Sequence, residues 1–178
     1  MVIDAGNKEV RDIYSLAIQS TINELKENSA ANMIRTVYPN MNKGLNTNKP
    51  EVQEECLEIL AQIFKKFGQL LNKNNNLVNK DDLMKTLIEL LQNGHPGVRK
   101  RTTNCMGQFA IILNSRQLEQ LITILMRRLK ASEGTKKDLL TQIQCISQIA
   151  RSVGSKLARF YGQLVPQLTT YPAVLEEE

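Results

Sequence analysis

A small residue recurs at the same place in four helical segments of the chain. Ala17, Cys56, Cys105 and Cys145 follow one another at intervals of 39, 49 and 40 residues. The longest interval contains 72–76, a polar, asparagine-rich run whose insertion between two helices accounts for most of the excess. A period of about 40–47 residues with two helices per unit is typical of α-helical solenoids, in which each unit packs only on its neighbours. The spacing therefore predicts a stack of helix pairs.

Apolar residues recur three and four positions apart along nearly the whole chain, as they do on one face of a helix. The clearest case is 115–130, whose apolar face consists of Leu118, Leu121, Ile122, Leu125 and Leu129. Ser115 precedes this face as a candidate N-cap, and Gly154 is a natural terminator of the next helix. Helices are expected near 8–26, 30–45, 50–71, 79–93, 96–113, 115–130, 136–153 and 155–170. Strand-like alternation is absent, so the sequence predicts an all-α superhelix of about eight helices.

These helices are expected to form a single solenoid over 1–178. Its repeat units are approximately 1–28 (partial), 29–72, 77–114, 115–154 and 155–178 (partial). With the first helix of a unit denoted A and the second B, the chain reads B–A–B–A–B–A–B–A. Pro39 and Pro166 fall inside A helices, where a proline ring is expected to cause a kink. Because solenoids need capping units, the partial units predict that the chain is part of a longer array.

Composition limits the possible partners and compartments. The chain is 42% hydrophobic, enough for a core, and its net charge of +5 permits an acidic partner or nucleic acid. No apolar run reaches the roughly 20 residues of a membrane span, and no secretory signal follows Met1, so no membrane association is expected. Three cysteines without zinc-site spacing favour a reducing compartment. A cytoplasmic and nuclear location is the resulting expectation.

Segment 97–113 carries the most distinctive motif. A B helix of the HEAT repeat reads Val-Arg-x-x-Ala-Ala-x-Ala-Leu-Gly-x-Leu. The segment resembles it with Val98-Arg99-x-x-Thr102-Thr103-x-Cys105-Met106-Gly107-x-Phe109. A glycine in mid-helix costs about 1 kcal/mol relative to alanine, so Gly107 predicts the close approach of a neighbouring helix. The resemblance implies a HEAT/armadillo-type α-α superhelix.

Two stretches resemble a more particular family. They are 96–102 (PGVRKRT) and 141–151 (TQIQCISQIAR), which look like the N-terminal HEAT region of the cullin-associated and neddylation-dissociated family, also called TBP-interacting protein. Segments 8–13 and 55–60 fall at matching places in that family. The resemblance implies a non-enzymatic scaffold that wraps an unneddylated cullin with its RING subunit, blocks the modified lysine and lets substrate receptors exchange. It also implies partial binding, and no exchange activity, for this part of the array alone.

A basic group at the beginnings of the B helices is the candidate partner-binding surface. It consists of Arg99, Lys100, Arg101, Lys136, Lys137 and Arg11. B helices line the concave face of HEAT arrays, so these side chains would face the acidic surface of a partner. In the alternative, Arg99 forms a ladder with acidic residues of a neighbouring repeat and the lysines are merely solvated. Three consecutive residues cannot all point the same way on a helix, which favours the alternative.

No catalytic, cofactor-binding or metal-binding set is predicted, and the chain is expected not to be an enzyme. The three cysteines share a small buried position, and His95 is the only histidine and lies in a turn. Lys65 and Lys66, like Arg127 and Arg128, are expected to complement helix C-termini. The functions left open are another HEAT scaffold, such as a phosphatase scaffold or a nuclear transport receptor, and a basic helical-repeat nucleic-acid binder. Scarce aromatics and interleaved acidic residues argue against nucleic acid as a partner.

Overall fold

The computed structural model describes residues 8–131 and 136–169. Within them the chain forms α1 (Lys8–Glu24), α2 (Glu27–Leu45), α3 (Pro50–Lys73), α4 (Lys80–Leu90), α5 (Pro96–Ile111), α6 (Ser115–Ala131), α7 (Lys136–Val153) and α8 (Tyr161–Leu168). A 3-10 helix, Gly154–Phe160, separates α7 from α8. These described residues contain no strand, and the predicted all-α fold is confirmed.

The helices stack in the manner of a solenoid. The B helices α1, α3, α5 and α7 form one row in which each helix packs on the next. The A helices α2, α4 and α6 each pack on the B helix that follows. This arrangement is the HEAT-type α-α superhelix expected from the repeat. The limits of the individual repeat units stay a prediction.

The rings of Phe64 in α3 and Phe109 in α5 mark the centre of this row. Both side chains are fully buried, and their centroids lie 5.6 Å apart at an interplanar angle of 54°. Such tilted pairs add to the stability that burial alone provides. The contact between α3 and α5, which belong to successive repeats, is therefore an apolar interface.

Glycines allow adjacent helices to approach closely at two places. A Cβ atom added to Gly107 of α5 would lie 3.0 Å from the carbonyl oxygen of Gln148 in α7. A Cβ atom added to Gly44 of α2 would clash with the Sγ atom of Cys56 in α3. The close approach predicted for Gly107 is thus confirmed, and Gly44 has the same role in a different helix pair.

The three cysteines are free thiols in the core, as expected. Each of Cys56, Cys105 and Cys145 is 0% exposed. Burial raises the pKa of Cys56 to about 12, with the nearby charge of Glu55 as a smaller cause, and burial also raises the pKa of the other two thiols. These groups stay protonated at neutral pH, so they serve as small packing residues rather than nucleophiles.

Ala17 differs from the cysteines with which the sequence aligns it, because its side chain is exposed. In α3 the cysteine position is covered by Gly44 of α2, the A helix that precedes it. Among the described residues no A helix precedes α1. Cys56 is thus buried beneath the A helix that precedes it, whereas the aligned Ala17 is exposed.

The N-cap predicted for α6 is wrong by one residue. The Asn114 side-chain oxygen accepts from the Gln117 backbone N–H at 2.9 Å, and the Gln117 side-chain oxygen accepts from the Asn114 N–H at 3.3 Å. This reciprocal pair is a capping box. Ser115 is the first residue of the helix itself.

Two other departures concern backbone bends. The helix predicted over 155–170 is divided between Phe160, which ends the 3-10 helix, and Tyr161, which begins α8. Gly154, with φ of 52°, follows the last residue of α7, as its predicted role of helix terminator requires. The non-helical backbone inside α3 lies at Phe67, with φ of −108° and ψ of 22°. Pro39 and Pro166 do lie inside helices α2 and α8, whereas the kink expected at each of them stays a prediction. The bend at Phe67 was not predicted, because no proline marks it.

Candidate partner-binding surface

The predicted basic residues lie near the N-terminal ends of B helices that pack side by side. Pro96 begins α5, and its fixed φ suits the first turn of a helix. Lys100 is exposed on this helix, and Lys136 and Lys137 are exposed at the beginning of α7. Arg11 is on α1, and its side chain lies outside the described side chains.

Arg99 is used within its own repeat. Its Nη1 atom donates to the carbonyl oxygens of Asn93 at 2.7 Å and Gly94 at 2.9 Å. These carbonyls belong to the turn between α4 and α5. Arg99 therefore ties this turn to the first turns of α5 instead of pairing with an acidic neighbour.

Arg101 forms the inter-repeat ladder that was predicted for Arg99. Its Nε atom lies 3.3 Å from Oε2 of Glu54, and its Nη1 atom lies 2.9 Å from Oε2 of Glu58. The two glutamates are one helical turn apart on α3, so a single guanidinium reaches both. His95 joins the group, with Nδ1 3.0 Å from Oε1 of Glu54.

A pair of side-chain amides, Asn93 and Gln53, also holds the turn between α4 and α5. The Asn93 side-chain nitrogen donates to Oε1 of Gln53 at 3.0 Å. The Gln53 side-chain nitrogen donates in turn to the carbonyl oxygens of Thr47 at 2.7 Å and Leu45 at 3.1 Å. Gln53 is only 6% exposed, so these bonds satisfy polar groups that water cannot reach. The turns before α3 and before α5 are thereby joined.

Two of the basic residues expected at helix C-termini complement the helix of an adjacent repeat. Lys66 of α3 donates to the carbonyl oxygens of Ile22, at 2.7 Å, and Asn23, at the end of α1. Arg128 of α6 donates to the carbonyl oxygen of Ile88, near the end of α4, at 2.9 Å. Helix C-termini carry unpaired carbonyls, so a cation is well placed there.

The structure thus divides the predicted surface into two parts. Arg99 holds the turn before α5 and Arg101 joins α5 to α3, whereas the side chains of Lys100, Lys136 and Lys137 are exposed. The glutamates of the ladder were missed by sequence reasoning. Two acids four residues apart, one repeat before a basic residue, are the signal that would have found them.

Breaking the ladder should cost a modest amount of stability. We expect Arg101→Ala to lower the free energy of unfolding by about 1 kcal/mol, because the pair is partly solvated: the Arg101 side chain is 37% exposed and that of Glu58 is 29% exposed. Urea denaturation of Arg101→Ala, Glu58→Ala and the double variant measures the coupling between them. Strictly additive losses would contradict a direct interaction.

Two kinds of site are not found in the described ranges. None of the helices in 8–131 and 136–169 combines the length and hydropathy of a membrane span. The same residues contain no cluster of three or more histidine, cysteine, aspartate or glutamate side chains that could hold a metal ion.

Stacked helix pairs with a ladder between repeats define a HEAT-type helical array, and three lysines are exposed near the N-terminal ends of its B helices. No protein-family model matches the chain. Similarity over nearly the whole of this chain was found instead to cullin-associated NEDD8-dissociated proteins. The chain is 26% identical over 168 residues to protein 1 of Arabidopsis thaliana, covering 93% of the chain and 13% of the relative.

Two further cullin-associated NEDD8-dissociated proteins show similar identity and coverage. Protein 1 of Drosophila melanogaster is 25% identical over 94% of the chain, and protein 2 of Mus musculus is 23% identical over 98% of it. The chain is thus similar to these proteins at 23–26% identity over nearly its whole length, and the predicted resemblance is confirmed. It spans only 13–14% of the length of these relatives.

Proposed function

We propose that the chain is a non-enzymatic scaffold that binds a cullin together with its RING subunit. The observation that carries this proposal is the similarity, over 93–98% of the chain, to proteins named for cullin association. The HEAT-type stack supports it, since such arrays bind partners along extended surfaces. The names of these relatives refer neither to phosphatases nor to nuclear transport. Because the chain spans a small part of them, we assign binding and not receptor exchange to it.

The contact surface in this proposal is the lysine row of α5 and α7. Lys100, Lys136 and Lys137 are exposed near the N-terminal ends of two B helices that pack on each other. An acidic patch on the partner would be attracted to this row, and such pairing contributes chiefly to association rate and specificity. Arg99 and Arg101 serve the surface indirectly, because Arg99 holds the turn before α5 and Arg101 holds α5 against α3.

We further propose that the protein acts in the cytoplasm and nucleus. All three cysteines are free and buried, and a reducing compartment keeps such thiols unpaired.

The binding proposal is tested with an unneddylated cullin–RING pair immobilised for interferometry. We expect the purified chain to bind, and the double variant Lys100→Glu/Lys137→Glu to bind about tenfold more weakly, equivalent to about 1.4 kcal/mol. These lysines are exposed, so their reversal should leave the fold intact, unlike reversal of Arg101. The matched control is Lys85→Glu on α4, where the side chain is 75% exposed in the row of A helices.

Three results would contradict the proposal in different ways. Absence of binding by the unaltered chain would reject the cullin partner, and equal losses in Lys85→Glu would reject the lysine row as the contact. Tight binding to duplex DNA with a steep salt dependence would favour the nucleic-acid alternative instead.

A further inference from the structure

The asparagine-rich insertion forms one wall of a polar cleft. Residues 72–76 lie at the end of α3 and beyond it, inside the longest repeat interval. With the beginning of α4 and the turn before α6 they surround a cleft of about 490 Å³, a volume typical of ligand sites. Apart from Val78, the lining residues carry amides or charges. They are Asn75, Asn76, Val78, Asn79, Lys80, Asp81, Asn114 and Gln117, and we call this site the asparagine cleft.

Lys80 places a buried cation in the asparagine cleft. It is the first residue of α4 and is only 8% exposed. Its ammonium group has three N–H donors, and within the described residues it has one hydrogen-bond partner, Oδ1 of Asn75, at 2.9 Å. Removing a charge from water costs free energy unless the charge is compensated, and the same burial lowers the pKa of Lys80. An anion beside Lys80 would supply this compensation.

The amide oxygens beside Lys80 are already occupied, whereas N–H donors are left over. Oδ1 of Asn75 accepts from Lys80, and Oδ1 of Asn114 accepts from the backbone N–H of Gln117. An ammonium group and a backbone N–H can only donate, so these two bonds fix which end of each amide is the oxygen. The Nδ2 groups of Asn75 and Asn114 have no partner among the described residues, and neither has the amide of Asn76. The cleft therefore offers donors to a ligand that brings acceptors.

A second cleft continues the first, since both are lined by Asn114. The second cleft is lined by Asn72, Leu113, Asn114, Ser115, Leu118, Lys156 and Arg159. Nη2 of Arg159 donates to the carbonyl oxygen of Ser115 at 2.7 Å, which holds the guanidinium beside this cleft. Asp81 is the only acid among the lining residues of the two clefts, and its Oδ1 accepts from Gln117 at 3.0 Å. Three cations against one acid favour an elongated, acidic ligand.

The chemistry of the lining favours a polypeptide over a nucleic acid as this ligand. No aromatic side chain is among the described residues that line either cleft, so bases would have no surface on which to stack. The unused amide N–H groups match the backbone carbonyls of an extended peptide. The ammonium group of Lys80 matches a side-chain carboxylate, because hydrogen bonds between ionised groups are the stronger ones.

We propose that the asparagine cleft binds an extended acidic segment of a partner polypeptide, with one carboxylate on the ammonium group of Lys80. The Nδ2 groups of Asn75 and Asn114 donate to backbone carbonyls of the segment. The cleft lies where B helices end and A helices begin, whereas the lysine row lies near the N-terminal ends of B helices. This binding uses neither the lysine row nor a cullin, and it stands independently of the proposed function.

The test is fluorescence anisotropy with a fluorescein-labelled decapeptide of alternating glycine and glutamate, titrated with the full chain in about 0.15 M salt. We expect saturable binding, and no binding of the glycine–glutamine decapeptide. Lys80→Met should weaken binding about tenfold, since a hydrogen bond to a charged group contributes about that factor. Asn76→Asp should weaken it as well, because it adds a carboxylate to the cleft. Methionine keeps the apolar stem of Lys80, and Asn76 is exposed, so both variants should fold. Urea denaturation checks this.

Two control variants separate this cleft from other lysines. Lys85→Met changes an exposed lysine on the same helix, and Lys100→Met/Lys137→Met changes the lysine row. Both should bind the peptide nearly as well as the unaltered chain does. The proposal is overturned if the unaltered chain does not bind the peptide, if folded Lys80→Met binds it equally well, or if the lysine-row variant loses binding.

Two competitors test the class of ligand. Unlabelled peptide should displace the labelled one, and inorganic phosphate at the same concentration should not. Equal displacement by phosphate would show a general anion site and overturn the assignment to a polypeptide. Stronger displacement by a single-stranded oligonucleotide than by unlabelled peptide would overturn it in favour of nucleic acid.

Discussion

Replacing Phe109 with alanine is expected to lower the free energy of unfolding by about 4 kcal/mol, the largest single effect we predict. Phe109 is 0% exposed, and its ring lies 5.6 Å from that of Phe64 across the α3–α5 contact. The substitution removes the burial of a whole ring, the aromatic pair and the packing around both, and it leaves a cavity between two backbones that cannot collapse freely. Because each repeat is stabilised mainly by its neighbours, the loss falls on the centre of the stack.

Urea denaturation followed by circular dichroism measures this loss. Leu16→Ala is the control, since that side chain is 65% exposed and should change stability by no more than about 0.5 kcal/mol. A loss in Phe109→Ala below about 2 kcal/mol would show that the α3–α5 interface is not tightly packed.

Replacing Gly107 with valine is expected to lower the free energy of unfolding by about 3 kcal/mol. Here the cause is not a cavity but the addition of atoms to a contact that is already tightly packed. The new Cβ atom would lie 3.0 Å from the carbonyl oxygen of Gln148 and 3.1 Å from its carbonyl carbon. Both atoms belong to the backbone of α7, so no rotamer change relieves the contact and the two helices must move apart. The better helix propensity of valine relative to glycine offsets only about 0.5 kcal/mol of this cost.

Gly162→Val in α8 is the matched control, because a Cβ atom there meets nothing within 4 Å. We expect it to leave stability nearly unchanged in the same urea titration. If the Gly107 and Gly162 variants lose similar amounts, the cause is the loss of glycine itself and not the closeness of α5 to α7. A second unfolding transition in Gly107→Val would show that the α5–α7 contact couples the last repeats to the others.

Much of the fold follows from local pattern, and the departures have local causes. The apolar period predicted α7 to its end residues, and the motif beginning at Val98 located α5. The bend at Phe67 could not be predicted, because no proline marks it. The cap of α6 was misplaced because asparagine and serine are both good N-caps, and only the geometry of Asn114 with Gln117 distinguishes them.

The candidate site was less predictable, because it depends on the rotation of each helix about its axis. Successive positions on a helix point about 100° apart, so Arg99 and Arg101, two positions apart, point to nearly opposite sides of α5 and contact different groups although both are basic. Which of them meets Glu54 and Glu58 is decided by how α5 packs on α3. The sequence shows that ion pairs between repeats are possible, but tertiary packing determines which residues form them. The exposure of Lys100 follows from the same rotation.

The bonds that span a single repeat also have a kinetic consequence. The Tyr38 hydroxyl donates to the Asn79 carbonyl at 3.3 Å, and the link from Arg101 to Glu58 has a similar separation along the chain. Contacts of this kind form between residues about one repeat apart, so they do not require residues several repeats apart to meet early in folding. The loop-closure entropy of folding is therefore set by one helix pair and does not grow with the number of pairs. Folding can begin at any well-packed pair, such as α3 with α5, and spread outward by adding one neighbour at a time.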